Sequence, residues 1–481
     1  MAKDFPTRSE NYSQWYNDLV IKADLAENSA VRGCMVIKPY GFAIWEKIQS
    51  ILDKKFKDTG HSNVYFPIFI PKSFFSKEAS HVEGFAKECA VVTHYRLKKS
   101  PDGKGIIVDE DAKLEEELIV RPTSETIIWD TYRNWIKSYR DLPLLYNQWA
   151  NVVRWELRPR LFLRSSEFLW QEGHTAHDSY EDASAYVNGI HTNVYNDFLE
   201  KVLAMPTYLG IKPPSERFAG AINTMTCEGM MRDGKALQMA TSHELGQNFA
   251  KAFDIKFQNK EGQSALCWTT SWGSSTRLVG GLIMAHGDDN GLIVPPHLAP
   301  TQVVVIAVRE DDEVIAACNK IAAALKSAGV RVRIDNGGAS FGRRVTDWEI
   351  KGVPIRVEVG PRDLAEGVVA LVRRDSSEKV SISPDAVVAS VPGILEQMQS
   401  QMYESQLARR NANTHDVKSI EEAMEASQTG FARLDWELVG PAGEAKLKND
   451  AITVRCLQRR DGSMPVTDTE KDLICIVAKS Y

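Results

Sequence analysis

The segment at residues 151–177 constrains the fold more than any other part of the chain. It reads NVVRWELRPRLFLRSSEFLWQEGHTAH and contains four arginines, three glutamates and two tryptophans. Apolar and charged residues alternate on both sides of RPRLF, as they do in half-buried strands. Pro159 within RPRLF is typical of a loop between two strands. The segment therefore predicts a β-hairpin.

All the cations of this hairpin apart from histidine are arginines: Arg154, Arg158, Arg160 and Arg164. The planar guanidinium binds phosphate and carboxylate in bidentate fashion, whereas a merely solvated face would also use lysine. Two strands joined by an arginine-bearing loop could hold an anionic substrate against an open sheet. We therefore expect a binding site here rather than an ordinary surface.

Bulk properties limit the classes that remain. The 481 residues exceed what one hydrophobic core supports, and the net charge of −6 excludes a global basic field for nucleic acid. Seven scattered cysteines without a CxxC pair argue against a disulfide framework and for a reducing cytoplasm. The N-terminus lacks a basic lead and an apolar core, and the longest apolar runs are strand-length. Neither a signal peptide nor a membrane span is expected.

Periodicity outlines the first part of the chain. Helical spacing predicts helices at 11–30 and 44–60, the second ended by Gly60. NVYFPIFIP predicts a strand interrupted by prolines, and residues 95–119 predict an exposed charged hairpin around PDGKG. A β-rich block follows, from the 151–177 hairpin to GLIVPP.

The proline-rich PPHLAP at 295–300 is the strongest linker signal. After it, strands alternate with helices, which indicates a small α/β domain. From about residue 385 a helical region leads to a last segment ending LICIVAKSY. We therefore predict an antiparallel-sheet α+β domain at 1–294, an α/β domain at 299–400 and a small α+β domain at 405–481.

Nucleotide-binding signatures are informative by their absence. The sequence has no GxxxxGK[ST], no GxGxxG after a strand and no HExxH. A bound ATP would therefore be held by arginine side chains on a sheet rather than by a glycine-rich loop.

Other segments each have two interpretations. The run at 31–49 favours a structural role over a catalytic one. In VRPTSET, Thr123 and Glu125 share a face if the segment is extended and could bind a substrate ammonium, but such a run is also an ordinary helix cap. His243 in ALQMATSHELGQNF is by itself more typical of a buried structural histidine. The small-residue run LVGGLIMAHG suits a helix packed closely on a sheet, and Arg277 at its head suggests more than packing.

Together these segments resemble the class II aminoacyl-tRNA synthetases, and specifically the prolyl-tRNA synthetase family. VRGCMVIKPYGFAIWEKIQ is similar to the first class motif, with Pro39 at the dimer interface. NVVRWE…FLRSSEFLWQEGH is similar to the second motif, and SWGSSTRLVGGLIMAHGDDNGLIVPP to the third. RPTSE and TSHELGQNF are similar to prolyl-specific segments. The interval from Glu172 to Trp268 is too short for the editing domain of many bacterial members, so the chain resembles the archaeal and eukaryotic form.

The resemblance implies a class II synthetase fold with an anticodon-binding domain, and a cytoplasmic homodimer that ligates proline to tRNA(Pro) using ATP and Mg²⁺. Arg154 would bridge the α-phosphate and the proline carboxylate, and Arg277 would cover adenine and reach the γ-phosphate. The implied ATP-binding residues are Arg154, Glu156, Arg164, Phe168, Gln238, Thr241 and Arg277. The implied proline-binding residues are Thr123, Glu125, Arg154, Trp170, Glu172, Phe218, His243 and Ser271.

Expectations for the rest of the chain follow from the same resemblance. Glu349 and Arg362 fall where anticodon bases are read, and Arg356 lies nearby. Relatives often bind structural zinc through four cysteines near the C-terminus, but only Cys456 and Cys475 remain here, so no structural zinc is expected. In the family the terminal tyrosine docks near the active site, although a bare terminus is more often frayed.

Two rival functions compete with this interpretation. A non-catalytic synthetase-like RNA-binding protein would be expected to lose Arg154, Arg277 or Glu125, and all three are present. A sister enzyme for threonine or histidine conflicts with RPTSE and Trp170. Proline–tRNA ligation therefore remains the expected function.

Overall fold

The structure is a computed structural model of the chain, and it describes residues 5–75 and 88–481. Part of the N-terminal segment on which the expectation of no signal peptide rests, residues 1–4, lies outside these ranges. Within them, no helix is both long enough and apolar enough to span a membrane.

The strands are named in chain order. They are β1 (Ala26–Asn28), β2 (Met35–Ile37), β3 (Ser62–Asn63), β4 (Phe69–Pro71), β5 (Ala90–His94), β6 (Leu97–Lys99), β7 (Ile106–Val108), β8 (Lys113–Val120), β9 (Leu144–Val153), β10 (Glu167–His177), β11 (Thr207–Ile211), β12 (Asn223–Met230), β13 (Ala236–Gly246), β14 (Lys256–Gln258), β15 (Ser264–Leu266), β16 (Trp268–Ser275), β17 (Val303–Ala307), β18 (Val332–Asp335), β19 (Ile355–Val359), β20 (Val369–Arg373), β21 (Lys379–Ile382), β22 (Thr414–Asp416), β23 (Phe431–Asp435), β24 (Ile452–Gln458) and β25 (Ile474–Lys479).

The α-helices are named in the same way. They are α1 (Arg8–Lys22), α2 (Pro39–Asp58), α3 (Lys72–Phe75), α4 (Glu125–Trp135), α5 (Tyr180–Gly189), α6 (Asp197–Lys201), α7 (Asn248–Phe253), α8 (Arg277–His286), α9 (Asp312–Ser327), α10 (Phe341–Ile350), α11 (Pro361–Ala365), α12 (Pro384–Ala412), α13 (Ile420–Ala426) and α14 (Trp436–Lys448). A π-helical stretch, Ile190–Asn196, joins α5 to α6.

An eleven-stranded sheet forms the centre of the molecule, in the order β22-β23-β25-β24-β11-β12-β13-β16-β10-β9-β3. The pairs from β23 to β9 are antiparallel. Helices α1, α2 and α8 pack against this sheet, and their buried side chains belong to one large apolar core. The predicted antiparallel α+β fold is confirmed.

Helix α8 lies unusually close to the sheet because its packing face carries glycine. A Cβ on Gly281 would approach the Met239 methyl to 2.4 Å, and one on Gly280 would approach Leu163 to 2.5 Å. Larger residues would push the helix away from β13. The prediction of a small-residue helix packed on a sheet is confirmed, and this packing fixes the position of Arg277 at the start of α8.

A second sheet follows the proline-rich linker. Its order is β18-β17-β19-β20-β21, with β17 parallel to both β18 and β19. Helices α9 and α12 cover it, and its Val- and Ile-rich strands have their own core. The predicted α/β domain is confirmed, including its strands and helices up to β20.

The last segment continues the central sheet. Strand β24 joins β11 through the pair Ile211↔Leu457, and buried residues of the segment such as Val454 and Leu434 belong to the main core. Helix α12, which includes Pro392, runs from the α/β domain back to the central sheet. The segment from residue 405 onward is therefore attached to the first domain by both sheet and core.

The proline-interrupted strand predicted for NVYFPIFIP is present as two short pieces, the end of β3 and β4, with Pro67 between them, since proline cannot donate to a ladder. In VRPTSET the condition of the first interpretation, an extended run, is not met, since α4 begins at Glu125. Elsewhere the charged hairpin at 95–119 is present as β6 and β7.

Candidate active site

Two adjoining cavities open on one face of the central sheet. The larger has a volume of about 270 Å³ and the smaller about 180 Å³. Arg154, Phe168, Ser275 and Arg277 line both, so the cavities meet at these side chains. Together they hold every residue of the expected ATP and proline sites.

The β9–β10 hairpin supplies the floor where the cavities meet. Phe168, Trp170 and Glu172 alternate along β10 and all line the larger cavity, as strand periodicity requires. Arg154 follows β9 directly, and its guanidinium carbon lies 5.6 Å from the Phe168 ring centroid and 5.4 Å from that of Trp170. The predicted hairpin is confirmed, and its arginine lies over two aromatic rings.

Arg154 is held by backbone groups on either side. Its Nε donates to the Pro122 carbonyl at 2.9 Å, and its own amide donates to Ser166 at 2.8 Å. Burial lowers the pKa of Arg154, while Glu125 and Glu172 raise it. Arg154 therefore lines both cavities in a position fixed by its backbone partners.

The turn before α4 brings a carboxylate into the larger cavity. Thr123 donates a short hydrogen bond to Glu125, and both side chains are buried. Ser124 stands at the N-cap position, but its side chain makes no capping bond and donates to Glu172 at 2.5 Å instead. The run stands at the start of a helix, but its side-chain contacts are not those of an ordinary helix cap.

Glu172 is buried and already has three partners. Its Oε1 accepts from Ser124 and from Gln148 at 2.7 Å, and its Oε2 lies 2.9 Å from Nε2 of His174. Burial would raise the pKa of Glu172, but the hydrogen bonds from His174, Ser124 and Gln148 hold the pKa below its usual range. These hydrogen bonds fix the Glu172 carboxylate in the wall of the cavity.

The far wall of the larger cavity is aromatic. Phe218 stacks on His243 with ring centroids 4.3 Å apart, and Nδ1 of His243 lies 3.1 Å from Thr224 Oγ1. Burial lowers the pKa of His243 to about 3, so its ring is neutral at neutral pH. Ser271 Oγ and Trp170 Nε1 are buried and have no hydrogen-bond partner among the residues that the structure describes. This wall suits a small apolar ring with one or two polar contacts.

The smaller cavity is arginine-rich. Glu156 and Arg164 line it together with Arg154 and Arg277. Burial, together with the charges of Arg154 and Arg164, lowers the pKa of Arg277 to about 10. Three arginines that repel one another in this way would be stabilised by a polyanion such as a triphosphate.

Gln238 and Thr241 border the larger cavity on β13. Nη1 of Arg277 donates weakly to the Gln238 carbonyl at 3.5 Å. The expected nucleotide residues therefore converge from β10, β13 and α8.

Sequence reasoning missed several lining residues. Glu88 lines the smaller cavity, and its carbonyl accepts from the Trp155 amide at 2.8 Å. No pattern distinguishes this glutamate from a charged surface residue. Trp272 lines the larger cavity, and its indole occupies the space beside Gly173, where a Cβ would approach it to 2.1 Å. Alternation along β16 could have indicated Trp272.

The remaining hairpin arginines have different surroundings. Arg158 is exposed, and its amide donates to Glu156. The guanidinium of Arg160 lies between the rings of Tyr16 and Tyr481, at 4.7 and 5.3 Å.

The C-terminal residue is docked rather than frayed. The Tyr481 amide donates to the Ala236 carbonyl at 3.1 Å, and its hydroxyl bonds Asp233 at 2.5 Å. Its ring lies against Arg160 of the hairpin loop. The chain therefore ends beside the start of β13.

In the α/β domain the expected anticodon residues separate. Glu349 and Arg356 line one small cleft with Trp348. Arg356 donates to Glu358 at 2.7 Å, whereas Arg362 is exposed on α11. Trp348, which sequence reasoning missed, lies beneath Arg333 at 5.7 Å and Lys351 at 5.5 Å.

Cys456 and Cys475 lie on the adjacent strands β24 and β25, both buried. Burial raises the pKa of each thiol, to about 12 for Cys456. Among the described residues, no group of three or more potential metal ligands occurs. The expectation of no structural zinc stays a prediction.

Comparisons with known proteins agree with this geometry. A family model described as the tRNA synthetase class II core domain (G, H, P, S and T) matches residues 107–286, and one described as an anticodon binding domain matches 302–393. A proline–tRNA ligase of Frankia casuarinae is 58% identical over 99% of this chain and 99% of its own length. One of Bacteroides fragilis is 54% identical over 100% of this chain and 99% of its own length.

A solved structure is similar over the whole fold. The prolyl-tRNA synthetase of Cryptosporidium parvum, crystallised with L-proline and AMP, matches with a TM-score of 0.88 and 33% identity. The match covers 99% of this chain and 96% of that one. These similarities extend over both sheets and the segment that follows. The chain therefore belongs to the proline–tRNA ligase family of class II aminoacyl-tRNA synthetases.

Proposed function

We propose that this chain activates proline with ATP and transfers it to the 3′ end of tRNA(Pro), using the two adjoining cavities as one active site. The observation that carries the proposal is the position of Arg154. It lines both cavities together with Arg277, and Glu125 lines the larger one. A group there can contact a carboxylate and a phosphate at once.

In the first step, a proline carboxylate oxygen attacks the α-phosphorus of ATP and pyrophosphate leaves. Negative charge accumulates on the phosphoryl oxygens, so stabilisation by positioned cations lowers the barrier. Arg154 bridges the carboxylate and the α-phosphate, and Arg277 reaches the γ-phosphate. Phe168 stacks under adenine while Arg277 covers the other face. Glu156, Arg164, Gln238 and Thr241 complete the nucleotide site.

Proline occupies the larger cavity. Thr123 and Glu125 bind its secondary ammonium, which a buried carboxylate attracts strongly. Trp170, Phe218 and His243 enclose the ring, with Ser271 at its edge. Glu172 acts as polar support, since both of its carboxylate oxygens already have partners in the protein.

In the second step, a hydroxyl of the terminal adenosine of tRNA attacks the prolyl carbonyl and AMP leaves. The α/β domain binds the anticodon, where Glu349 accepts from a base amino group and Arg362 donates to guanine. Arg356 lies nearby, and Trp348 offers a ring on which a base can stack. The domain division 1–294, 299–400 and 405–481 assigns these tasks to separate parts of the chain.

We assign Mg²⁺ to the smaller cavity on the chemistry of its donors. Magnesium in nucleotide sites is held by one or two carboxylates together with phosphate oxygens. Glu88 and Glu156 supply two carboxylates beside the arginine cluster. When bound, the ion would neutralise phosphate charge.

We propose a homodimer, with a second copy of the chain covering the exposed apolar side chains near Pro39 and on the β6–β7 hairpin. Val36 and Phe42 near Pro39, and Leu97 and Ile106 on the hairpin, are each more than a third exposed. Patches of this kind mark interaction surfaces. The expected setting is the cytoplasm.

ATP–pyrophosphate exchange tests the function. Exchange should depend on proline and remain near background with threonine or histidine, and aminoacylation should require tRNA(Pro). Exchange with none of these amino acids would refute the ligase assignment. Exchange driven by threonine or histidine would favour a sister enzyme.

A further inference from the structure

A buried ion cluster lies beside the nucleotide-binding face of the sheet. The Glu228 carboxylate on β12 is completely buried and accepts from Lys212 Nζ at 2.7 Å and from Arg455 Nε at 3.0 Å. Thr226 adds a third donor at 2.8 Å. Lys212 and Arg455 are themselves almost fully buried. The cluster thus holds two cations and one anion away from water.

This cluster joins the C-terminal segment to the rest of the sheet. Arg455 belongs to β24, whose ladder with β11 is represented by the single pair Ile211↔Leu457. Lys212 Nζ also donates to the Arg455 carbonyl at 2.7 Å. Side-chain bonds therefore supplement a short backbone ladder.

Two residues of the cluster lie directly across from the proposed nucleotide residues. In the β12–β13 pairing Thr226 faces Thr241, and Glu228 faces Gln238 after a bulge. Cross-strand partners in an antiparallel pair project from the same face of the sheet. Glu228 therefore lies beside the strand that borders the larger cavity, and Arg455 reaches Glu228 from β24. The Gln238 carbonyl accepts from Arg277.

Arg455 adds a second positive charge at Glu228, beside that of Lys212. A buried carboxylate that loses a partner attracts any other cation within reach. Arg277 is such a cation: the charges of Glu228 and Arg455 act on it in opposite directions. With Arg455 present, the two cations at Glu228 outnumber its charge.

We propose that Arg455 of the C-terminal segment is a positioning residue for the ATP site. By binding Glu228 together with Lys212, it keeps Gln238 and Thr241 in place on β13 and leaves Arg277 directed toward the phosphates. This inference rests on the proposed assignment of Gln238, Thr241 and Arg277 to ATP. It gives the C-terminal segment a role in the activation step, at a distance from tRNA.

Four variants test the proposal: Arg455→Met, Arg455→Lys, the double variant Glu228→Gln with Arg455→Met, and Arg433→Met as control. Arg433 forms an exposed bidentate pair with Asp416 in the same segment. ATP affinity is measured by calorimetric titration without proline, and the KM values for ATP and proline by exchange. Thermal unfolding of each variant is recorded alongside.

Arg455→Met should weaken ATP binding by about tenfold or more, the effect of one lost charge-assisted contact, and should change the proline KM less than twofold. Arg455→Lys should recover part of the ATP affinity. The double variant should recover part of it, because no carboxylate remains at position 228 to attract Arg277, while buried Lys212 then lacks its anionic partner. Arg433→Met should match the parent chain.

Unchanged ATP affinity in Arg455→Met would overturn the proposal, as would equal losses for ATP and proline. If Arg455→Met does not fold, parent-like ATP affinity in Arg455→Lys combined with weak ATP binding by the double variant would overturn it. The ATP titration needs no amino acid. A parent chain that binds ATP but shows no proline-dependent exchange would therefore refute the proposed function while still deciding this inference.

Discussion

Arg374 and Asp288 form a bidentate ion pair between the anticodon-binding domain and the loop that follows α8. Nη2 of Arg374 lies 2.6 Å from Oδ1 of Asp288, and Nη1 lies 2.9 Å from Oδ2. Nε of Arg374 donates to the Glu349 carbonyl at 3.1 Å. One arginine thus connects the proposed anticodon-reading helix with the loop after the helix that begins at Arg277.

Replacing Arg374 with methionine should lower the free energy of unfolding by about 2 kcal/mol, because the partly buried Asp288 carboxylate would lose its partner. Arg343→Met is the control, since the Arg343–Asp347 pair on α10 is exposed and such pairs contribute little. Urea denaturation measures both variants. Equal losses of unfolding free energy in the two variants would show that the interdomain pair stabilises the fold no more than an exposed pair does.

Replacing Glu125 with glutamine should raise the KM for proline by about tenfold to a hundredfold, the range of a buried charge-assisted contact. ATP affinity measured without proline should stay within twofold of the parent chain. Glu115→Gln on β8 provides a matched control, because Glu115 is exposed. A proline KM unchanged by Glu125→Gln would remove this carboxylate from the ammonium site.

Lowering the pH should destabilise the folded chain at pH values well above those at which carboxylates titrate. Burial lowers the pKa of four histidines to about 3 or 4, namely His61, His191, His243 and His286. The unfolded chain, with histidine pKa values near about 6.5, binds more protons than the folded chain below that pH. Stability is therefore complete above pH about 6.5 and decreases as the pH falls from there toward about 4.

The expected loss of unfolding free energy from pH about 7.5 to 5.5 is on the order of 5 kcal/mol, with each buried histidine contributing somewhat more than 1 kcal/mol. Denaturant titrations across this range measure it. His286→Gln, which removes a ring bonded to the Leu203 carbonyl, should reduce the dependence by about a quarter. A flat profile would contradict the neutral state of these rings.

Alanine and cysteine should be activated and transferred to tRNA at measurable rates. An apolar cavity rejects a smaller side chain by only about 1–3 kcal/mol, and no editing domain is expected between Glu172 and Trp268. Exchange kinetics with proline, alanine and cysteine give the ratios of kcat/KM. Preference for proline over both by many more orders of magnitude would contradict this expectation.

Periodicity was sufficient to predict the hairpin, the helix at 44–60 and the α/β domain, because each of these elements carries its pattern locally. The helix predicted at 11–30 ends at Lys22, and residues 26–28 form β1 instead. Periodicity did not predict that β24 would pair with β11, since Ile211 and Leu457 meet only through tertiary packing. A helix start in VRPTSET was one of two interpretations, but the contact between Ser124 and Glu172 was not predictable, because it joins distant segments.

The site residues that could be predicted are those whose residue type is unusual at their position in the sequence. Arg154 and Arg277 stand out as arginines at the ends of apolar elements, and the family resemblance gave them roles. Glu88 has no such local signal, and its place in the smaller cavity depends on its contact with Trp155. Tyr481 is held by Asp233 and Arg160, partners that no sequence pattern around the terminus indicates.

The central claim is that Arg154 serves both reactants from the junction of the two cavities. Steady-state exchange with Arg154→Ala measures this most directly, with exposed Arg158→Ala as the matched control. Arg154→Ala should lower kcat by about 10²–10³-fold and should raise the KM for ATP and for proline, whereas Arg158→Ala should change each less than threefold. An unchanged kcat, or a KM effect confined to one substrate, would contradict the claim.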